Sequence, residues 1–263
     1  MSFWKTLWRR TLTKKRIERE KQQIVLQDGP WTAHNIPLGH SITTMGVQRN
    51  YDTAKLELCM KTIAENAGKP IAALRILDLA CLEGMYSIEF ARFGAEVVGI
   101  EVRELNLRKA RFAKKALGLR NVEFMKDDVR NINHHVYGEF DVVLMTGILY
   151  HIDQVDQLPL LKAASGMCKK LMYVDTHVGL TPDREFSADG MTFTGTEWQE
   201  FAPQATLAER EKMLWASFEN PKSFKLSLPS LHTALKHVGF QTTEELPRIE
   251  KQPADRIVVL ARK

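Results

Sequence analysis

From Arg75 onward, short β-branched apolar runs alternate with stretches of helical periodicity, a pattern that a parallel sheet with helices on both faces satisfies. The strand-like runs lie at 75–80, 96–102, 121–127, 140–147 and 170–177, and helical spacing fills 84–93, 104–117 and 155–168, the second helix being bounded by Gly118. The chain closes with a helix near 229–238, Gly239, and two further runs at 240–246 and 255–262 split by Pro247 and Pro253. That ending predicts an antiparallel hairpin on one sheet edge, with the last strand inserted into the sheet. The expected fold is α/β, a doubly wound sheet of seven strands with the last one antiparallel.

Two regions stand outside the alternation. Residues 1–70 precede the first strand and hold a helix over roughly 51–67, so a helical N-terminal extension is expected. Residues 178–228 interrupt the step from the fifth strand to the final helix and are rich in Gly, Pro, Phe and Trp. An insertion beside the carboxyl ends of parallel strands is where such folds place substrate-binding elements. We therefore expect Phe186, Met191, Phe193, Trp198, Phe201, Met213, Trp215 and Phe218 to wall an apolar pocket.

Charge is distributed unevenly. The chain carries 37 Lys and Arg against 32 Asp and Glu, a net +5. Within residues 1–21 eight cations face only Glu18 and Glu20, giving +6, so the other 242 residues sum to −1. The basic character belongs to the N-terminal segment and does not make the globular part a nucleic-acid binder. That segment also places Trp4, Trp8 and Leu12 at helical spacing with Phe3 and Leu7 alongside, an apolar stripe flanked by cations. Contact with protein is its expected use, with an anionic membrane surface or RNA as the alternatives. No run reaches the length of a membrane span and no secretory core forms, so a cytoplasmic location is expected. Cys59, Cys81 and Cys168 have neither the even number nor the spacing of a disulfide framework or zinc site, and no metal is expected.

The turn after the first strand, Asp78-Leu79-Ala80-Cys81-Leu82-Glu83-Gly84, carries the most chemical information. Small residues at Ala80 and Gly84 let backbone approach a ligand, and the helix that follows offers free N–H groups. Glu101 ends the second strand about twenty residues on, where a carboxylate can accept both ribose hydroxyls. Asp127-Asp128-Val129 ends the third, placing an acceptor and a backbone amide where an adenine edge would lie. Three such features on successive strands form a nucleoside site.

In these residues the chain resembles the class I S-adenosylmethionine-dependent methyltransferases over about 75–263. The resemblance implies a Rossmann-like fold, S-adenosylmethionine as cofactor, and a cofactor site at Asp78, Ala80, Gly84, Glu101, Asp127, Asp128, Val129 and Thr146. It departs from that family's D/E-x-G-x-G-x-G motif at Ala80 and Leu82, whereas Gly84 matches. Loss of two glycines argues against a dinucleotide, whose pyrophosphate needs close backbone approach. By the same resemblance residues 1–70 are a basic helix and cofactor-covering segment, and 71–263 the methyltransferase domain with 178–228 as substrate cap.

The fourth strand runs into Thr146-Gly147-Ile148-Leu149-Tyr150-His151, and its G-x-L-Y-H string is similar to one in the tRNA wobble-uridine (carboxy)methyltransferase group. In class I enzymes this edge faces the transferable methyl, which makes Tyr150 and His151 the candidate catalytic groups, His151 as a base. His177 at the end of the fifth strand is the third candidate, with Asp175 expected to orient His177 or His151. His134-His135 reads as a solvated polar loop. Upstream, Trp31, His34 and Asn35 are candidates to line the pocket. The expected activity is methyl transfer to an oxygen or nitrogen of a small-molecule acceptor. A wobble-uridine-type RNA modifier and a non-catalytic nucleoside-binding regulator are the alternatives.

Overall fold

The computed structural model describes residues 12–47 and 50–263. The stripe formed by Phe3, Trp4, Leu7 and Trp8 lies outside the described residues. The chain begins with α1 (Lys14–Asp28), a short hairpin of β1 (Pro37–Gly39) and β2 (Ile42–Thr43), and α2 (Asn50–Asn66). The alternating part follows as β3 (Arg75–Leu79), α3 (Met85–Arg92), β4 (Glu96–Glu101), α4 (Glu104–Leu117), β5 (Val122–Lys126), α5 (His134–Tyr137), β6 (Phe140–Thr146), α6 (Gln154–Met167) and β7 (Cys168–His177). The insertion holds β8 (Arg184–Ala188), β9 (Met191–Gln199), α7 (Leu207–Lys212) and β10 (Lys222–Leu226), and the chain ends with α8 (Leu228–His237), β11 (Thr242–Glu245) and β12 (Arg256–Arg262).

Seven strands form one sheet in the order β11-β12-β7-β6-β3-β4-β5. β12 lies antiparallel to both β7 and β11, as the expected hairpin with an inserted last strand requires. The central strands bury both faces, with Ile76 on one side of β3 and Leu77 and Leu79 on the other, so two cores sandwich the sheet. The chain winds outward through β4 and β5 and then returns to place β6 against β3. That reversal opens a crevice at the carboxyl ends of β3 and β6, the location where open α/β sheets bind ligands.

Two local expectations are corrected. His134 and His135 lie in a short helix, α5, not a loop, with Asn133 accepting from the Val136 amide at its start. Residues 178–228 contain a second antiparallel sheet, β10-β9-β8. The aromatics of this insertion serve mainly that sheet: Phe193 and Phe201 are buried, Phe186 packs on Phe193 and Phe224, and Trp198 stands exposed beneath Lys225. Of the eight residues expected to wall a pocket, Trp215 and Phe218 line the cavity described below. Among the described residues no helix is long and apolar enough to cross a membrane.

Candidate active site

The carboxyl ends of β3, β4, β5 and β6 surround a cavity of about 320 Å³. Its floor is the turn after β3. Ala80 and Leu82 both take left-handed backbone conformations, with φ of 55° and 52°, at the two places where the family motif has glycine. The conformation persists because hydrogen bonds over-determine it: Cys81 N donates to Ile100 O (2.9 Å), Leu82 N to the Glu101 carboxylate (3.1 Å) and Gly84 N to Cys81 O (2.9 Å). Gly84 cannot change, because at φ +86° an added Cβ would meet Ala110 and Phe124 at 2.9 Å. Gly84 therefore packs the turn against α4 and β5 and does not itself line the cavity. Asp78 points the other way, accepting from the Ser87 hydroxyl (2.6 Å), while its second oxygen is buried without a partner. Burial raises its pKa to about 7, with the nearby Glu101 charge adding to the shift and Ser87 opposing it.

One end of the cavity is acidic. Glu101 is 3% exposed and accepts from the Arg103 amide at 2.7 Å as well as from Leu82. Burial pushes its pKa above the usual range against the pull of Arg103. Asp127 caps the Asp128 amide (2.8 Å) and accepts from the Tyr137 hydroxyl. Asp128 is held by the Arg130 guanidinium and amide, which outweigh its burial and keep its carboxyl ionised below the ordinary value. Asp127, Asp128 and Val129 all line the cavity.

At the other end Thr146 and Gly147 lead into a 3₁₀ turn at Leu149–His151, which turns Tyr150 and His151 into the cavity. Sequence reasoning missed the partner of His151. Nδ1 lies 2.9 and 3.0 Å from the two carboxylate oxygens of Glu200, whose side chain is only 2% exposed. Glu200 also accepts from the Ser217 amide (2.9 Å) and the Ser223 hydroxyl (2.5 Å). Burial would raise its pKa, but His151 and these donors hold it below the ordinary value. An ionised acceptor on Nδ1 places the neutral imidazole's proton there and leaves Nε2 with a lone pair.

His177 lies behind this group and does not line the cavity. Its ring stands edge-on to Tyr150 at 4.7 Å, and its Nδ1 is 2.8 Å from Asp255. Asp175 orients neither histidine. It pairs with Arg256 Nε (2.6 Å) and Lys55 (2.8 Å), two cations that sequence reasoning also missed and that line the cavity beside Tyr150.

The segment before the sheet contributes Ala33 and His34 to the lining, whereas Trp31 packs on Phe112 and Asn35 spans back to Val47 and Met45. Glu83 holds this segment in place. Fully buried, it accepts from the amides of Thr32 (2.9 Å), Ala33 (3.1 Å) and His34 (2.9 Å) and is neutralised by the equally buried Lys109 at 3.1 Å. In return His34 Nδ1 accepts from the Met85 amide (3.1 Å) at the start of α3.

Comparison with known proteins places this geometry in context. Residues 72–175 match a family model described as a methyltransferase domain. The N-terminal domain of EvdMO1, crystallised in the presence of S-adenosylhomocysteine and D-fucose, superposes with a TM-score of 0.72 at 26% identity, covering 97% of this chain and 98% of that one. The ubiquinone biosynthesis O-methyltransferase of Pelagibacter ubique is 26% identical over 162 residues, which is 56% of this chain and 63% of that protein. The enzyme of the same description from Ruegeria pomeroyi is 36% identical over 105 residues, 38% of this chain and 39% of that protein. The matched part thus spans less than two thirds of the length of these curated relatives.

Proposed function

We propose that this chain, a class I S-adenosylmethionine-dependent methyltransferase, moves the methyl group onto a hydroxyl oxygen of a small molecule, with His151 as the base. The observation that carries the reading is the His151–Glu200 pair at one end of a cavity whose other end presents Glu101 and Asp128. When bound, S-adenosylmethionine supplies a methyl carbon on a sulfonium, an already activated leaving group. The residues fit that cofactor. Glu101 would accept the ribose hydroxyls, Asp128 and Val129 would meet the adenine, and the Ala80–Gly84 turn and Thr146 would lie along the remainder. One polar atom of a cavity-lining residue, Arg103 Nε, is buried without a partner, which suits a site whose polar groups settle on binding.

The protein then has two tasks at the acceptor. It must align the oxygen in line with the methyl–sulfur bond, and it must take a proton as the oxygen–carbon bond forms and the carbon–sulfur bond breaks. Glu200 stabilises the imidazolium that results on His151. Tyr150, packed 4.2 Å from the His151 ring and touched by Arg256, helps position the acceptor. A hydroxyl acceptor agrees with the O-methyltransferase names of the relatives and with the sugar present with EvdMO1. We read 1–70 as the covering segment and 178–228 as the acceptor-side cap, with His177 supporting Tyr150 from behind.

Calorimetry with S-adenosylhomocysteine followed by a methyl-transfer screen over phenols, sugars, amines and transfer RNA tests the reading. Binding should be detected, and hydroxyl compounds should be methylated. General-base assistance is worth about 10²–10⁴ in rate, so His151→Ala should lower turnover by that order with cofactor affinity unchanged. Transfer only to amines or RNA, or a loss under about tenfold in the variant, would overturn the assignment.

A further inference from the structure

The segment Met213–Asn220 crosses the cavity as a strap, and it is held from both ends of the site at once. At the acidic end the buried Arg103 guanidinium donates to Met213 O (3.0 Å) and Ala216 O (2.9 Å), with Ser217 O further away at 3.4 Å, and it lies over the Phe218 ring. The amide of that same Arg103 donates to Glu101. At the other end the Ser217 amide donates to Glu200, and Asn220 Nδ2 donates to His151 O (2.9 Å). Further anchors are Arg210 on Phe218 O (3.1 Å) and Arg130 on Glu219.

We infer that Arg103 is a positioning residue for the base. By fixing the strap's carbonyls it delivers the Ser217 amide to Glu200, so that filling the Glu101 end of the cavity sets the His151–Glu200 pair at the other. The inference rests on the reading of the cavity as a cofactor site. Its physical basis is that hydrogen bonds, and little buried apolar surface, hold the strap, and that Arg103 is the side chain that donates to the carbonyls of Met213 and Ala216. Ser217 is buried, but Met213 and Trp215 are 38% and 63% exposed, so burial contributes little and local opening is easy. Leu214, Trp215 and Phe218 line the same cavity as Glu101, so a ligand filling it lies against the strap and favours its closed arrangement. Closing brings the Ser217 amide to Glu200 beside the Ser223 hydroxyl, holds the carboxylate on Nδ1 of His151, and stabilises the protonated imidazole. Cofactor would then bind before acceptor, because the base is complete only under a closed strap. Linkage requires the converse as well: bracing the base must tighten the cofactor end.

The test needs no acceptor. Amide hydrogen exchange of residues 213–220 and the NMR titration of His151 are followed with and without saturating S-adenosylhomocysteine, a zwitterion of no net charge that lacks the sulfonium cation. In the wild type the ligand should slow strap exchange at least about tenfold and move the His151 midpoint upward. Arg103→Ala, saturated with ligand, should show neither change. Ser217→Pro, which removes the amide to Glu200 together with the hydroxyl that donates to Asn220, should keep the slowed strap through the Arg103 contacts but return His151 to its ligand-free midpoint. Equal strap protection in Arg103→Ala and wild type, or a His151 midpoint indifferent to ligand in a wild type that binds it, would overturn the inference while leaving the cofactor reading intact. Failure of the wild type to bind the ligand at all would overturn both.

Discussion

Asp78 lies on the central strand, 1% exposed, with one carboxylate oxygen on Ser87 and the other on nothing. A carboxyl held near pKa 7 by burial binds a proton in the folded state that the unfolded chain, titrating near its ordinary value, releases. Its contribution is therefore fully present below about pH 4 and is lost as pH rises to about 7. Asp78→Asn keeps the shape and removes the titration. In ligand-free protein, denaturant melts should show the variant gaining on the wild type by a few kcal/mol between pH 4 and pH 8. A constant difference across that range would mean the wild-type carboxyl titrates normally. The neighbouring departures from the glycine motif have a cost of their own. Left-handed backbone at a residue with a Cβ costs roughly 1–2 kcal/mol, and Ala80 has no side chain beyond Cβ to lose. Ala80→Gly should raise stability by up to about 1 kcal/mol in the same melts, glycine's extra unfolded-state freedom offsetting part of the relief. The sequence showed that two glycines were missing; the conformation those positions keep could not be read from it, because hydrogen bonds that the turn amides donate to the distant Glu101 and Ile100 impose it.

At the level of elements, the alternating core was legible almost to the residue, since β3, β4, β5, β6 and β7 announce themselves by apolar runs bounded by turns. The insertion was not. Its central hairpin nevertheless carries a readable signal: Asp189-Gly190 joins β8 to β9 as a two-residue turn with both φ values positive, at 52° and 75°, and Phe186, Ala188, Met191 and Phe193 alternate around it. Glu200, which pairs with His151, and Ser217, which lines the cavity, both lie on this insertion, so the base's partners were hidden with it. Glu83 was hidden differently. It lies within the quoted turn, but its role depends on Lys109 one helix away and on three amides fifty residues upstream, a coincidence that only the folded chain creates. Removing one member of a buried ion pair leaves the other uncompensated and costs about 3–5 kcal/mol. Glu83→Ala should lose about that much, and limited proteolysis should cut near residues 30–36 in the variant before the sheet domain is touched. Unaltered cleavage there would show that the segment is held by its own packing instead.

Across the whole molecule, separation along the chain is a poor guide to separation in space. Residues 1–21 lie more than fifty positions before the first strand of the main sheet, and on sequence distance alone their removal should leave cofactor affinity intact. The structure gives part of that stretch a different position. Ile17 of α1 is fully buried in the core, Lys115 pairs with Glu20 at 2.9 Å, and Lys21 donates to Thr43 O at 2.7 Å. Asp28, at the end of α1, pairs with Arg108 on α4, the helix that also supplies Lys109. Two residues later the chain enters the loop that Glu83 grips and that brings Ala33 and His34 to the cavity. α1 is thus the outer brace of the loop that brings Ala33 and His34 to the cavity. Deleting residues 1–28 should cost at least the roughly 2–5 kcal/mol of losing one large aliphatic side chain from a core. A ligand at a hundredfold excess over its dissociation constant stabilises by about 2.7 kcal/mol, and a looser loop should weaken S-adenosylhomocysteine enough to shrink the thermal shift it produces. Thermal melts with and without the ligand, paired with calorimetry at a temperature where the truncated protein is folded, separate the two effects. A lower melting point with an unchanged dissociation constant would confine α1 to stability. A weaker constant would make it part of how the site is built.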